Sequence, residues 1–549
     1  MKRTLIAGLF SLVLTRSLSA QPLVRAALNA ASYAVNTNGL NEIAQGSMFV
    51  IFGSGMGPAT LAQVNAFPLP ASQGLQGTSV QVISGGATID CIMIYTVALQ
   101  VAAVLPSRTP LGDARLVVRY NGVASTPLLI RVVQRAFGTF AVNQKGTGPG
   151  VIQNVLSETN RPVNGPFKAA RPGAVLILWG TGLGPVQGDE AAGALPGDLA
   201  AVPLEIFVGG RAARFIYRGR SGCCAGIDQI VFEIPMGVSG CFVPVIVKIG
   251  NTVSNQTTMA VGDTDTCSEN GRPITSAPPI TGIVNYSCIG LNRVCTSLNL
   301  PTQVQIPGLE NCLEGLNSET LNAAFGRSNL DQLDLSAYYA TRMAGSCSVV
   351  TLVGDVQNTQ EPTLPTSLDA GTITLTGPRG VHTVSRLADG RYDGGLPKDF
   401  LAPGNYIVEG SGGIGPDSIG PFRVTTTLSA ALVWTNRGGI STINRAAGQE
   451  VTWSGCDPNG RVSISGFGFA GDERNALITM FFCSERTSAR RFVIPPYVLL
   501  AVPAASPDLP FNGFLRVGDE GEVKYFAAPR LDTGALSWRY VDGKAVKYQ

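Results

Sequence analysis

The chain has 549 residues, of which 66 are glycine, 35 are proline and only 14% are charged; that length excludes a single core and suggests about three to five domains, and the composition excludes long solvated helices. The formal charge of +3 falls to 0 once Lys2, Arg3 and Arg16 leave with the leader described next. Nucleic acid is therefore not an expected partner, because phosphate binding needs a cationic surplus.

Residues 1–20, MKRTLIAGLFSLVLTRSLSA, have the layout of a secretory signal peptide: a basic start, an apolar run from Leu5 to Leu14 and a small-residue end that predicts cleavage after Ala20. The apolar run is about ten residues, short of the roughly twenty that span a bilayer, and no later stretch reaches that length. An exported protein is expected, whether periplasmic, surface-bound or extracellular, with no transmembrane segment. Exported chains also favour disulfides over free thiols. There are 11 cysteines, so at least one is unpaired.

Two copies of one module come next. GSMFVIFGSGMGP from Gly46 and GAVLILWGTGLGP from Gly173 match at Gly53, Gly55, Gly57 and Pro58 against Gly180, Gly182, Gly184 and Pro185, at a constant offset of 127. SVQVISGG at 79–86 then faces PLEIFVGG at 203–210, and ALQVAAVLP at 98–106 faces IDQIVFEIP at 227–235. Short runs rich in Val, Ile and Phe, bounded by Gly, Pro, Asn and Ser, recur too closely for crossover helices. The predicted fold class is all-β, a tandem of immunoglobulin-like β-sandwich modules, with residues 21–135 and 136–262 as the two related sandwiches.

Residues 263–347 are predicted to be a cysteine-rich linker region, irregular or short-helical, with helices suggested at 317–325 and 330–343. A further sandwich is expected over 348–429, where hairpin signals recur, and a last β-rich domain over 430–549.

The glycine loops invite comparison with a phosphate cradle. A dinucleotide fingerprint needs G-x-G-x-x-G between strand and helix, whereas these loops read G-x-G-x-G-P and no helical apolar face follows. The expectation is a structural turn, in which glycine backbone angles let a central strand leave its sheet, and any contact is expected with the neighbouring module. The chain holds one histidine, His382, with no G-x-S-x-G or H-E-x-x-H motif beside it, so a sheet-face or hairpin role is expected. No catalytic residue, cofactor or metal site is predicted; GDTDTCSEN from Gly262 resembles a calcium loop in composition alone. Two-carboxylate chemistry needs no histidine and survives as a minor alternative.

Three cysteine pairings are expected: Cys456 with Cys483, which flank strand-like segments, Cys223 or its neighbour Cys224 with Cys241, and Cys288 with Cys295. Trp434, Trp453 and Trp538 are candidates for stacking on sugar rings, set against the alternative that they pack in cores. Trp453 precedes both Cys456 and Cys483 rather than lying between them, so the last domain does not follow the antibody pattern.

The residues NAASY at 29–33, IAQGSMFVIFGSGMGP, RPGAVLILWGTGLGP, IFVGG, DQIVFEIP and GCFVPVIVKIGNTVSN resemble the paired-repeat domain of acidobacterial exported proteins named after Solibacter, whose halves are similar to IPT/TIG immunoglobulin-like modules. The resemblance covers about 27–262 and implies export and architecture, with no activity or catalytic residues attached. The family's strand usually reads Gln, an apolar residue and Asn before its proline, and here Ala102 and Val231 occupy the asparagine positions. The expected function is that of structural spacer or protein-interaction modules at the cell exterior, with protein or polysaccharide as partner. Carbohydrate binding or adhesion through the C-terminal aromatics is the alternative, and carboxylate-dependent glycoside hydrolysis a lesser one.

Overall fold

The computed structural model describes residues 21–33, 41–269, 272–273, 283–297, 316–329, 344–354, 366–457, 460–470, 476–507 and 511–549. Its fold is all-β, and the alternation of side chains explains why. In Thr78–Ser84, Val80 and Val82 point into a core while Gln81 and Ile83 do not, the period-2 pattern of a half-buried strand.

The first repeat is a sandwich of two sheets. One orders Leu23–Asn29, Met48–Ser54, Gln100–Val104, Ile92–Val97 and Ala62–Gln63, and the other orders Asn41–Ala44, Leu128–Val133, Gly112–Tyr120, Thr78–Ser84 and Ala87–Asp90. The chain's first strand is thus split between the sheets: Leu23–Asn29 runs antiparallel to Met48–Ser54, and Asn41–Ala44 runs parallel to Leu128–Val133. This is an immunoglobulin-like arrangement. Phe49, Ile51, Val82, Leu116 and Val132 fill its core.

The second repeat keeps the register of the first. Phe52 opposes Gln100 in one copy and Trp179 opposes Gln229 in the other, and Leu176 and Leu178 occupy the core positions of Phe49 and Ile51. One difference changes its closure. The first copy breaks at buried Cys91 between Ala87–Asp90 and Ile92–Val97, whereas the second runs on as one strand, Arg211–Arg220, pairing first with Leu204–Val208 and then, from Arg214 onward and across a bulge between Phe215 and Tyr217, with Asp228–Glu233.

Apart from the short pair Ser268–Glu269 and Arg272–Pro273, the remaining described strands build one eleven-stranded sheet, faced on one side by two smaller ones. Its main path runs Ser346–Gly354, Ala476–Arg486, Arg461–Ala470, Gly513–Glu520, Leu531–Tyr548, Ile283–Ser297, Leu316–Asn329 and Thr366–Ser367. The four-stranded sheet that includes Ile373–Gly377, Gly404–Gly410 and Phe422–Leu428 packs on the half carrying Ile289, Leu321 and Leu536. The three-stranded sheet of Leu432–Trp434, Gln449–Gly455 and Arg491–Ile494, with the short helix Pro496–Ala501, packs on the half carrying Val462, Phe481 and Val517.

This arrangement corrects part of the predicted organisation. The helix expected at 317–325 is strand, within Leu316–Asn329, because Leu321, Ala323 and Phe325 alternate inward onto a core; burial at period 2 outweighs the helix propensity of Leu, Ala and Glu. The segment expected at 330–343 lies outside the described residues. The strands Ile283–Ser297 and Leu316–Asn329, expected in a linker, are central to the large sheet, and strands from both sides of the boundary at 429 pair within it.

The cysteines pair differently from expectation. Cys347 bonds Cys483, its directly opposed neighbour across two antiparallel strands, with 3.9 Å between Cα atoms, and Cys456 stays free. Cys241 bonds Cys267, and Cys223 bonds Cys224. Cys288 and Cys295 share the strand Ile283–Ser297, where seven residues extend about 23 Å, far beyond the ~7 Å Cα limit of a disulfide.

Candidate functional site: the joint between the repeats

The loop Gly180–Pro185 leaves the end of Val175–Thr181 and turns under the linker that enters the second repeat. Gly182 has φ +105°, and a Cβ there would stand 2.3 Å from the Ala136 carbonyl oxygen. Gly184 has φ +135°. Only glycine meets both the backbone angle and the close approach.

The loop does hold an anion, and it is part of the chain. The N–H groups of Gly182 and Leu183 donate to Asp228 Oδ2 at 2.7 and 2.8 Å. Asp228 Oδ1 lies 2.9 Å from Arg220 Nη1, and Arg220 Nη2 donates to the Gly184 carbonyl at 3.0 Å. Asp228 is 0% exposed and Arg220 1%. Burial pushes the Asp228 carboxyl up to about 6, although the Arg220 guanidinium and the two N–H donors pull the other way. Desolvation is the larger effect because the pair has surrendered almost all contact with water.

From this pair the network crosses to the first repeat. Glu190, also buried, lies 4.0 Å from Arg220 and accepts the Ser107 N–H at 2.7 Å and the Ser107 hydroxyl at 3.0 Å. Ser107 Oγ accepts the Val186 N–H at 2.9 Å. Thr181 Oγ1 accepts the Met48 N–H at 2.8 Å and donates to the Gly226 carbonyl at 2.5 Å. Asn29 Nδ2 donates to the Thr181 and Ala136 carbonyls. A satellite core formed by Leu69, Ile92, Val104 and Ala225 joins the two repeats beside these bonds. The joint is desolvated, hydrogen-bonded and chemically specific, and its geometry holds two modules in one orientation.

Beside the loop lies a cleft of about 350 Å³, lined by Arg135, Leu183, Gly184, Pro185 and residues 198–202. Its walls belong to the linker and to the second repeat.

Other predicted residues lie away from this joint. In the first repeat, Gly53 would place a Cβ 1.9 Å from the Leu23 carbonyl and Gly57 would place one 2.2 Å from Thr96 Oγ1, while Gly55, the counterpart of Gly182, has nothing within 4 Å. Pro58 follows this loop and is partly exposed. His382 lies on the hairpin strand Gly380–Val384, its ring 6.2 Å from that of Phe400.

Trp434, Trp453 and Trp538 are 4%, 2% and 7% exposed, so none is available to stack on a sugar. Trp434 and Trp453 oppose each other across paired strands, and their indole N–H groups donate to Asn436 Oδ1 and the Thr487 carbonyl. Aromatic rings are instead only half-buried on the face of the large sheet away from its cores, where Phe467 and Phe514 stand 5.1 Å apart and Arg516 lies over the Phe467 ring at 5.9 Å.

Arg220, Asp228, Glu190 and Ser107 were not singled out from the sequence. The signal was present in the alignment of the repeats: Asp228 stands where the first copy has Leu99, and Leu99 is 65% exposed. Asp228 puts a charge where the first copy has an apolar residue, next to the shared Gln100 and Gln229.

No family model matches the chain, and no curated protein matches it. Among solved structures it is similar to SGBP-B of the Bacteroides ovatus mixed-linkage glucan utilization locus, at 9% identity over 85% of this chain and 94% of that one, TM-score 0.13. It is similar to Sidekick-1 immunoglobulin domains 1–4, at 10% identity over 93% and 96%, TM-score 0.11. It is also similar to domains 5–6 of the S-layer protein SbsC, at 11% identity over 44% and 100%, TM-score 0.16. Likenesses this weak carry no argument about function. The class follows from the fold itself: a tandem array of immunoglobulin-like β-sandwich modules.

Proposed function

We propose that this chain is an exported, non-enzymatic array of sandwich modules that serves as a structural spacer or protein-interaction scaffold at the cell exterior. The observation that carries the reading is the joint, where Arg220, Asp228, Glu190 and Ser107 are all engaged in fixing one module against the next. Loosely tethered domains meet through more polar, wetter surfaces and move relative to one another; a buried ion pair bonded to backbone on both sides opposes such motion. Export is supported by the leader-like start and by the three disulfides among the described residues, which persist in oxidising compartments. Among the described residues no helix is long and apolar enough to cross a membrane. The Solibacter-type resemblance over 27–262 belongs to the same reading.

Small-angle scattering on the secreted chain tests it. One particle dimension is expected across a wide range of salt, with Arg220→Ala adding flexibility. Turnover of substrates in a panel of polysaccharides and peptides would overturn it.

A second reading, carbohydrate binding or adhesion, is favoured by the half-buried Phe467 and Phe514 rings with Arg516 over one of them. Aromatic faces of this kind stack on the apolar faces of sugars. Glycan-array screening of the whole chain tests it, with Phe467→Ala and Phe514→Ala as controls, and no binding at millimolar ligand would count against it.

A further inference from the structure

We propose that Cys223–Cys224 is a site of thiol–disulfide exchange, and that its reduction by a small dithiol loosens the joint between the repeats. The two cysteines are exposed, at the tip of the loop 221–227 that links Arg211–Arg220 to Asp228–Glu233. The cysteines of the other two observed bridges are withdrawn from water: Cys241 2%, Cys267 0%, Cys347 1% and Cys483 1% exposed. An attacking thiolate must reach a sulfur along the S–S axis, so the exposed bond reacts in the folded chain and the buried ones only after local opening.

The loop that carries this bond also packs against the first repeat. In the first repeat the matching strands Ile92–Val97 and Gln100–Val104 are joined by Ala98 and Leu99 alone. The second repeat has an insertion there, and the insertion is one of the segments that touch the first repeat. Ala225 packs with Leu69, Ile92 and Val104. Gly226, at φ +69°, lies so close to the first repeat that a Cβ would stand 2.7 Å from Val104 Cγ2. The Ser221 N–H donates to the Ile227 carbonyl at 2.9 Å, and Ser221 Oγ is 3.3 Å from Cys223 Sγ. Arg220 and Asp228 flank the loop on either side. A bond between adjacent cysteines closes a small ring that restricts the backbone at both residues, and opening it returns conformational freedom to a loop that must stay ordered to dock.

The exchange balances as follows. A thiolate of the dithiol attacks one cysteine sulfur, the Cys223–Cys224 bond breaks, and the other cysteine leaves as thiolate and takes a proton. The second thiol of the reagent then displaces the mixed disulfide, so the protein gains two electrons and two protons while the dithiol is oxidised to its cyclic disulfide.

The test uses the secreted chain. Existing thiols are blocked with iodoacetamide, graded dithiothreitol is added without denaturant, and new thiols are trapped with isotopically heavy iodoacetamide for mass spectrometry, alongside amide hydrogen exchange. Cys223 and Cys224 are expected to label about tenfold or more faster than Cys241, Cys267, Cys347 and Cys483, with faster exchange confined to the loop 221–227 and to its contacts near Met48 and Val104. The double variant Cys223→Ser/Cys224→Ser should show that faster exchange without reductant and no further response to it. Labelling that begins only when the buried bridges also open would overturn the exchange site. Selective labelling without any change in hydrogen exchange at the joint would overturn the coupling.

Discussion

Arg220 and Asp228 oppose each other at the end of two antiparallel strands, Nη1 2.9 Å from Oδ1, and neither side chain reaches solvent. Taking both charges out of water is expensive, and Gly182, Leu183 and Gly184 offset part of that cost through their bonds to Asp228 Oδ2 and Arg220 Nη2, while the buried Arg220 Nε has no hydrogen-bond partner among the described residues. Breaking one partner is therefore far worse than having neither. Asp228→Ala should destabilise the chain by about 3–5 kcal/mol, read as a lower urea midpoint. A change below ~1 kcal/mol, the usual size for an exposed pair, would mean that the joint is open to water.

The two glycine loops share a sequence and should differ in tolerance. Gly182→Ala forces a Cβ against the Ala136 carbonyl at 2.3 Å in a backbone already at φ +105°, whereas Gly55→Ala, at φ +65°, meets open space. The second change should cost about 1–2 kcal/mol for the left-handed backbone alone, and the first clearly more. Thermal unfolding of the two variants side by side checks this, and equal losses would contradict it.

Asp519 lies on the inner face of the large sheet, 2% exposed, with neither oxygen in a well-aligned hydrogen bond. Burial pushes its carboxyl up to about 7, and weak donation from the Leu432 N–H and Ser429 offsets little of that. Between the ordinary 3.8 and about 7 the folded chain keeps a proton that the unfolded chain has lost, so this group's contribution to stability is greatest below the lower value and disappears as pH rises through the higher one. Asp519→Asn should raise stability at pH 8 by about 2–4 kcal/mol, taking ~1.4 kcal/mol per unit. It should do little at pH 4, and a pH series of urea midpoints separates the two outcomes.

The buried tryptophans give a spectroscopic prediction. With Trp434, Trp453 and Trp538 in cores, their fluorescence should resist aqueous quenchers and stay unchanged on adding oligosaccharide. Trp453→Ala should cost about 3–5 kcal/mol, since it leaves a void in the core around Val451 and Phe481 and removes the bond to the Thr487 carbonyl.

Strands whose partners are close in sequence were legible. Val80 and Val82, or Leu204 and Ile206, announce their faces by alternation, and the turn residues around them set their lengths. What failed was anything that depended on distant partners. Residues 317–325 read locally as helix and become part of the strand Leu316–Asn329, along which Ile283–Ser297 lies. Cys483 meets Cys347 from 136 residues away, a pairing that no local pattern records. Cys456 and Cys483 flank neighbouring segments, yet those segments belong to different sheets.

By itself the sequence determined that the chain is all-β, that its first half is a duplicated module, and that the glycine loops end central strands, because alternation, turn chemistry and repetition are local properties. Only the tertiary structure decided that the two copies are unequal. Gly182 lies beneath the linker while Gly55 faces open space, and Asp228 is held in a loop of backbone N–H groups while its counterpart Leu99 is exposed. The physical reason is that one copy's pole is covered by the other, and desolvation, which turns a surface charge into part of a joint, depends on what lies next to a residue in space.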